Sequence, residues 1–262
     1  MNWNPHDYAR NSSAQLVWAR ELISRMAFAG PEAVLDVGCG DGKITAEFAR
    51  ALPGGYVLGV DSSPEFIAYA SLHYPRAVFP SLQFERMDAR SLNIDRRFDL
   101  IFSNATMHWV DDQQAFLRGA AQHLHIGGRL ILSCGGAGNA AGIVAALEVV
   151  TSSSTWNHYF DGFDFPYHFH SPDEYSVWLA EANLAAERCE LVEKDMIHDS
   201  PEDLAGWIRT TWIPYTQRLP DEQQERFIND LVSLYLDNRP PDESGHTHVR
   251  MIRLEVEAVK LQ

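Results

Sequence analysis

Through the first half of the chain, short apolar runs alternate with stretches in which apolar residues recur at helical intervals. Leu16, Trp18, Ala19, Leu22, Ile23 and Met26 keep to one face, which predicts a helix over about 11–29. Val34–Val37 is a short buried strand, and Lys43–Ala51 is a helix stopped by Leu52-Pro53-Gly54-Gly55. Tyr56–Val60 is a second strand ending at Asp61. Ser62-Ser63-Pro64-Glu65 then supplies a serine cap, a first-turn proline and an early acid, starting a helix that runs to about Leu72. Leu82–Arg86, Phe98–Phe102 and Arg129–Ser133 are three more strands, and the helix Asp111–Leu124 is closed by Gly127-Gly128. Strands that alternate with helices imply a parallel sheet with right-handed crossovers. In such sheets ligands lie beyond the carboxyl ends of the strands. Gly38, Asp61, Asp88 and Asn104 each follow a predicted strand, so one crevice can gather them.

The second half has a different pattern. Ala140–Val150 is helical, and Trp156–His170 is dense in aromatics and histidine without a clear period. Ser171-Pro172-Asp173-Glu174 caps a helix to about Ala182, and Glu187–Ile197 can be a strand. Ser200-Pro201-Glu202-Asp203 caps a helix containing Trp207 and Trp212; Asp221–Asp237 is another helix, and His248–Val259 alternates as a final strand. Asn238–His248, with two prolines, is an exposed loop. The chain contains no internal repeat.

Composition narrows the partners. The 262 residues carry 21 Lys+Arg against 36 Asp+Glu, a formal charge of −15 with no basic run, which argues against nucleic acid as the main partner. The length suits one large α/β domain, or one with an elaborated lid. Cys39, Cys134 and Cys189 are too widely spaced for a metal site and too few for a disulfide framework, which points to a reducing cytoplasm. Met1 to Arg10 is polar and is not a signal peptide. The uncharged stretch between Arg129 and Glu148 is broken by Gly135-Gly136-Ala137-Gly138-Asn139, so no membrane span is expected.

The most informative stretch is Val34-Leu35-Asp36-Val37-Gly38-Cys39-Gly40-Asp41-Gly42. Glycines at alternate positions let backbone approach a ligand closely. The helix start behind them is expected to offer unpaired N–H groups. A dinucleotide turn requires Gly-x-Gly-x-x-Gly. Counted from Gly38, the third glycine would fall at Lys43, whereas Gly42 comes one position early. Lys43 is expected to be a solvated helix residue and Cys39 a small loop filler.

This Gly-x-Gly-x-Gly spacing, preceded by Asp36, resembles motif I of class I S-adenosylmethionine-dependent methyltransferases. Asp61, Asp88, Asn104 and the Leu124-His125-Ile126-Gly127-Gly128 turn match further family elements in order. The resemblance implies a Rossmann-like α/β fold: a doubly wound seven-stranded sheet with an antiparallel last strand and a helical lid insertion. The whole of 1–262 would be a single domain. Its core would be about 30–135, 186–199 and 246–262, with an N-terminal cap at 1–29 and lid helices at 138–185 and 200–238. It also implies the cofactor S-adenosyl-L-methionine, leaving S-adenosyl-L-homocysteine. The contacts implied are Asp36, Gly38, Cys39 and Gly40 in the loop, and Asp61 with Ser62 at the ribose hydroxyls. Met87, Asp88 and Ala89 would meet the adenine, and Asn104 with Ala105 the methionine part.

Trp3-Asn4-Pro5 with Tyr8 resembles the opening of trans-aconitate methyltransferases. Ser103–Trp109 resembles their segment after the fourth strand, and that of malonyl-carrier-protein and juvenile hormone acid O-methyltransferases. These relatives methylate carboxylates, which implies a small-molecule acceptor, a carboxylic acid, in a monomer or homodimer without nucleic acid or membrane. Alternatives are N-, C- or hydroxyl O-methylation of a natural-product intermediate, or a non-catalytic module that binds the cofactor. His108 is the candidate catalytic residue, as base or as hydrogen-bond donor; glutamine is frequent there in the relatives, which weakens a base role. Tyr8 and Trp109 would cover or wall the site. Trp156 and Tyr159, with their aromatic neighbours, either line an apolar pocket or form the insert's own core. Arg209 could hold a carboxylate bidentately, with Trp212 nearby, or be an exposed helix arginine. His158, His168 and His170 are expected to be solvated or lid residues, with no metal site.

Overall fold

The computed structural model describes residues 3–262, so Met1 and Asn2 of the expected cap lie outside the described residues. In chain order the elements are α1 (Pro5–Asn11), α2 (Ser13–Ile23), β1 (Ala33–Val37), α3 (Lys43–Ala51), β2 (Tyr56–Asp61), α4 (Pro64–His73), β3 (Leu82–Arg86) and β4 (Phe98–Asn104). Then come α5 (Gln113–His123), β5 (Leu124–Gly135), α6 (Ala141–Ser152), α7 (Pro172–Glu181), β6 (Leu184–His198), α8 (Pro201–Thr211), α9 (Ile213–Thr216), α10 (Asp221–Asn238) and β7 (Thr247–Lys260). Single 3-10 turns stand at Ala89–Ser91, Met107–Trp109 and Asn157–Tyr159.

Local chemistry explains the helix starts. The Ser-Pro-acid signature occurs three times, at Ser63, Ser171 and Ser200. Each serine side chain accepts the N–H three residues on, and each proline fills a first-turn position that has no intrahelical acceptor to lose. Ser171 and Glu174 complete a reciprocal capping box.

The seven strands are ordered β3-β2-β1-β4-β5-β7-β6. β1 is parallel to both β2 and β4, β2 to β3, and β4 to β5. β7 is antiparallel to β5, from Arg129↔Val259 to Gly135↔Arg253. The order reverses between β1 and β4, so the carboxyl ends of these neighbours form the switch point where open α/β sheets bind ligands. All five residues of β1 are buried. Leu35 and Val37 join one apolar layer with Leu58, Val60, Ile101 and Leu132, while Val34 joins the opposite layer with Val57, Leu100, Phe102 and Ile131.

The chain divides into two compact units. The sheet unit comprises Ser13–Ala137, Tyr167–Val192 and Arg253–Gln262; the helical unit comprises Met1–Ser12, Gly138–Pro166 and Glu193–Ile252. Residues 167–185, expected with the lid, therefore fall in the sheet unit. Three other expectations change. The helix expected over about 11–29 runs only from Ser13 to Ile23, and a separate helix, Pro5–Asn11, capped by Asn4, precedes it. β5 begins at Leu124 rather than Arg129; a bulge between Phe98↔Leu124 and Leu100↔Arg129 carries it through the glycine pair. Trp212 lies just past α8, as its C-cap.

Candidate active site

The loop after β1 leaves the sheet with Gly38, Gly40 and Gly42 all at positive φ. Two of them are packed tightly. A Cβ on Gly38 would collide with the Thr106 side chain, and one on Gly42 would come within 2.8 Å of Ala70 Cβ and Phe84 Cζ. Gly40 instead faces open space, with no atom within 4 Å of a Cβ built there. The N–H groups of the loop are largely taken, whereas those of Ile44 and Thr45 in the first turn of α3 have no partner among the described residues. Gly38 and Cys39 donate to the Val60 carbonyl (2.7 and 3.0 Å), Gly40 to Asp61 Oδ2 (3.0 Å), Gly42 to the Cys39 carbonyl (3.0 Å) and Lys43 to Asp41 Oδ1 (3.2 Å). Lys43 is not simply solvated: its Nζ pairs with Asp41 at 2.8 Å.

Two carboxylates sit below and beside the loop. Asp36, on β1, is buried and accepts the Thr45 hydroxyl at 2.6 Å. Burial pushes it up to about 7, with Asp61 and Asp41 adding to the shift against the pull of Thr45. Asp61 closes β2 and accepts Gly40 N–H on one oxygen and Ser63 N–H on the other, at 3.0 and 2.9 Å. Burial raises its pKa while these backbone donors oppose the shift. Each carboxylate oxygen keeps a further lone pair. Cys39 is buried, and burial pushes its thiol well up, which suits a filler and not a nucleophile.

Beyond β3, the Met87 N–H donates to the Asp61 carbonyl at 2.9 Å. Asp88 caps the Ala89–Ser91 turn, and its carboxylate also receives Arg90 Nε at 3.0 Å and Nη2 at 2.6 Å. The arginine holds Asp88 below the usual carboxylate range. Any adenine contact by this side chain would thus share it with Arg90.

At the end of β4, Asn104 is buried. Its Nδ2 donates to the Gln15 carbonyl at 3.0 Å, while its Oδ1 has no partner among the described residues. Ala105 follows at φ +57, a conformation rare for a residue with a Cβ, and donates to the Ser133 carbonyl at 2.7 Å. Thr106 Oγ1 then reaches the Gly38 carbonyl at 3.2 Å, tying the β4 loop to the glycine loop.

The Met107–Trp109 turn carries His108, buried, whose Nδ1 receives the Gly135 N–H at 3.2 Å. Burial pulls its pKa down to about 3, and the buried Arg253 guanidinium adds to that. A neutral ring whose Nδ1 accepts must carry its proton on Nε2. Around it lie Trp109, Tyr167 and Phe169, with ring centroids 5.6, 6.3 and 6.1 Å from the imidazole; Tyr167 and Phe169 stack at 5.7 Å. His168 and His170 belong to this unit too, and His170 pairs with Glu174 at 3.0 Å.

The remaining expected substrate residues are in the helical unit. Trp156 is a core residue there: it is buried, donates Nε1 to Asp230 at 3.0 Å and meets Phe227 edge-on at 5.4 Å. Trp212 is likewise buried, edge-on to Trp207 at 6.1 Å. Tyr159 is half-buried, and its carbonyl receives Arg218 Nε at 2.8 Å. Arg209 grips Asp7 with two nitrogens, at 2.9 and 3.1 Å, so the expected carboxylate partner is supplied by the chain itself. A cavity of about 190 Å³ in this unit is lined by Trp3, Asp7, Tyr8, Arg209, Gln217 and Gln224, among others. Among the described residues, no cluster is arranged to hold a metal and no helix is long and apolar enough to cross a membrane.

The chain is similar to known methyltransferases. Residues 35–132 match the family described as a methyltransferase domain. A trans-aconitate 2-methyltransferase of Deinococcus radiodurans is 36% identical over 130 residues, 50% of this chain and 48% of that protein. The enzyme of that name from Escherichia coli K12 is 25% identical over 268 residues, spanning 100% of this chain and 99% of that one. The chain carries a class I S-adenosylmethionine-dependent methyltransferase domain. Its fold agrees: the YcgJ protein of Bacillus subtilis superposes with a TM-score of 0.65 at 18% identity, covering 93% of this chain and 98% of that one. Geranyl diphosphate C-methyltransferase of Streptomyces coelicolor, solved with S-adenosylhomocysteine, gives 0.55 at 17%, covering 94% and 79%.

The sequence reading did not single out Gln113, Tyr175, Gln15 or Arg253. One signal was present: Gln113 stands at the head of the stripe Phe116, Leu117, Ala120 and Ala121, a polar residue where the helical pattern calls for an apolar one. Arg253, Glu255 and Glu257 alternate with Leu254, Val256 and Ala258, which resembles a solvated face. The fold buries Arg253 and Glu255 instead; Glu255 is neutralised by Arg25 at 3.2 Å and Arg188 at 2.9 Å.

Proposed function

We propose that the protein transfers a methyl group from S-adenosylmethionine to a carboxylate oxygen of a small acid. The observation that carries this reading is His108. It is the titratable side chain at the end of β4, yet Gly135 occupies its Nδ1 and burial holds it neutral. Such an imidazole is a poor base and a good Nε2–H donor. A carboxylate acceptor is ionised at neutral pH and needs no base, whereas most hydroxyl and amine acceptors must lose a proton. Similarity over the whole chain to trans-aconitate 2-methyltransferases supports the same choice.

The residues present fit the cofactor. Gly40 leaves space beside the loop, Asp61 keeps lone pairs for ribose hydroxyls, and the orphaned Asn104 Oδ1 needs an N–H donor such as the methionine ammonium. Asp36, Gly38, Cys39 and Gly40 would line the methionine side, with Asn104 and Ala105 opposite; Ser62, Met87, Asp88 and Ala89 would line the nucleoside side. When bound, S-adenosylmethionine supplies a methyl on a sulfonium, a leaving group that requires no protonation. The chain contributes alignment: His108 Nε2–H would fix one carboxylate oxygen, and Trp109, Tyr167 and Phe169 would hold the acceptor's apolar body.

The test uses methyl-labelled S-adenosylmethionine and a panel of carboxylic acids including trans-aconitate. A methyl ester releases labelled methanol in alkali. Label that survives alkali would mark N-, C- or ether methylation and sink the carboxylate reading. Binding of S-adenosylhomocysteine with no labelled product from any acid, amine or phenol would favour a non-catalytic module.

A further inference from the structure

We propose that Gln113, held in one orientation by Tyr175, is a positioning residue that sets the tautomer and orientation of His108 and seats the aromatic strap 167–169 beside it. The inference deepens the reading above and rests on the role given there to His108. Both side chains are fully inside the sheet unit: Gln113 is 2% and Tyr175 0% exposed. The Tyr175 hydroxyl donates to Gln113 Oε1. That bond fixes the amide, because an acceptor facing the hydroxyl leaves Nε2 facing the other way. Nε2 then donates twice, to the Met107 carbonyl at 2.7 Å and to the His168 carbonyl at 3.1 Å. Met107 precedes His108, and His168 lies between Tyr167 and Phe169. The two segments are also joined directly, His168 N–H to the His108 carbonyl at 2.9 Å.

One side chain on α5 thus clamps two stretches, 6 residues before it and 55 residues after it in the chain. What it fixes is the backbone on either side of the imidazole, and so the ring's ability to accept from Gly135 N–H. That acceptance keeps the proton on Nε2. Burial keeps the Tyr175 phenol protonated, hence always a donor. If the amide turned over, its oxygen would face two carbonyls, which is repulsive. The hydroxyl therefore acts on His108 through Gln113, without touching it.

Nitrogen-15 spectra of the histidine rings in the full chain test this. The His108 signal is assigned by its loss in His108→Gln. In the parent protein His108 should show one neutral tautomer, protonated on Nε2, with no titration between pH 5.5 and 8. Gln113→Leu should give mixed tautomers and move the titration toward the ordinary histidine range, with acceptor KM raised at least tenfold and S-adenosylhomocysteine affinity within about twofold. Tyr175→Phe, which removes a single oxygen, should shift the same signals less. It carries the test alone if Gln113→Leu does not fold. A merely structural role predicts a lower melting temperature with His108 spectra and titration unchanged in both variants, and that result overturns the proposal. If the spectra shift as expected while no carboxylic acid accepts label, the positioning role stands and the acceptor reading falls.

Discussion

The glycine loop after β1 and the aromatic segment from Trp156 are both unusual in composition, yet they use it in opposite ways. In the loop, Gly38 and Gly42 are packed against Thr106, Ala70 and Phe84, and Gly40 alone of the three glycines faces open space. Gly40 leaves space, while Asp61 and the loop N–H groups hold the backbone in shape. In the helical unit the special residues face inward. Trp156 and Trp212 are core, Arg218 caps the Tyr159 and Asp161 carbonyls, and Arg209 is held by Asp7. Packing accounts for Gly38 and Gly42, but Gly40 has no neighbour to make room for, and a left-handed residue beside open space is the part of the motif that signals a ligand. A cluster of large aromatics signals only apolar area, which any small unit of helices must bury.

The contrast can be broken experimentally, starting with its largest consequence. Trp156→Ala should lower unfolding free energy by about 3–5 kcal/mol in denaturant titrations, with S-adenosylhomocysteine affinity unchanged. A pocket residue would show the reverse, a small stability change and a weakened ligand. Gly38→Ala should cost about 2–4 kcal/mol, because it combines a left-handed backbone with a clash at Thr106, and it should also abolish measurable cofactor binding by calorimetry.

His108→Leu should reduce kcat/KM about 100-fold, the effect of losing one oriented donor, while His108→Gln retains most activity. The parent's kcat/KM should show no acid limb from His108 between pH 5 and 8. A limb near the ordinary histidine range would restore the base reading. The same depressed pKa makes the folded state lose stability as pH falls from about 6.5 toward 3, since the unfolded chain then binds a proton that the native ring refuses.

Asp36 works in the opposite sense. Its folded pKa lies above the ordinary value, so its stability cost is absent below about pH 4, grows as pH rises to about 7 and is constant beyond. Asp36→Asn should therefore raise the unfolding free energy above pH 7 by at most about 4 kcal/mol in denaturant titrations, with no gain at pH 4. The smallest effect is expected at the Arg209–Asp7 pair, half exposed on the arginine side. Arg209→Met should change stability by less than about 1 kcal/mol and lose that difference in high salt.

Much of the fold was legible. The five parallel strands, the three Ser-Pro-acid helix starts and the antiparallel final strand stand where the pattern, or the family resemblance, put them. Of the candidate site residues, Gly40 lies against Asp61, and Thr106, two residues past Asn104, reaches the Gly38 carbonyl, so the ends of β1, β2 and β4 do meet at the glycine loop. Gln113 was hidden because its two carbonyl partners are 6 and 55 residues away, and a sequence does not display such pairings. Arg253 was hidden because its alternation with apolar residues suggests a solvated face until Ser133 and Trp18 close over it.

The sequence by itself determined the sheet, its switch point and the glycine loop, because strand period, capping and left-handed turns are set by residues near one another in the chain. Tertiary structure alone decided which polar groups are already satisfied. It tied most of the loop N–H groups to carbonyls and carboxylates, gave Arg209 to Asp7, buried His108 against the Gly135 N–H and turned Trp156 and Trp212 into core. Those outcomes depend on burial and on partners distant in sequence, and burial sets both the charge state of a side chain and whether a ligand can reach it.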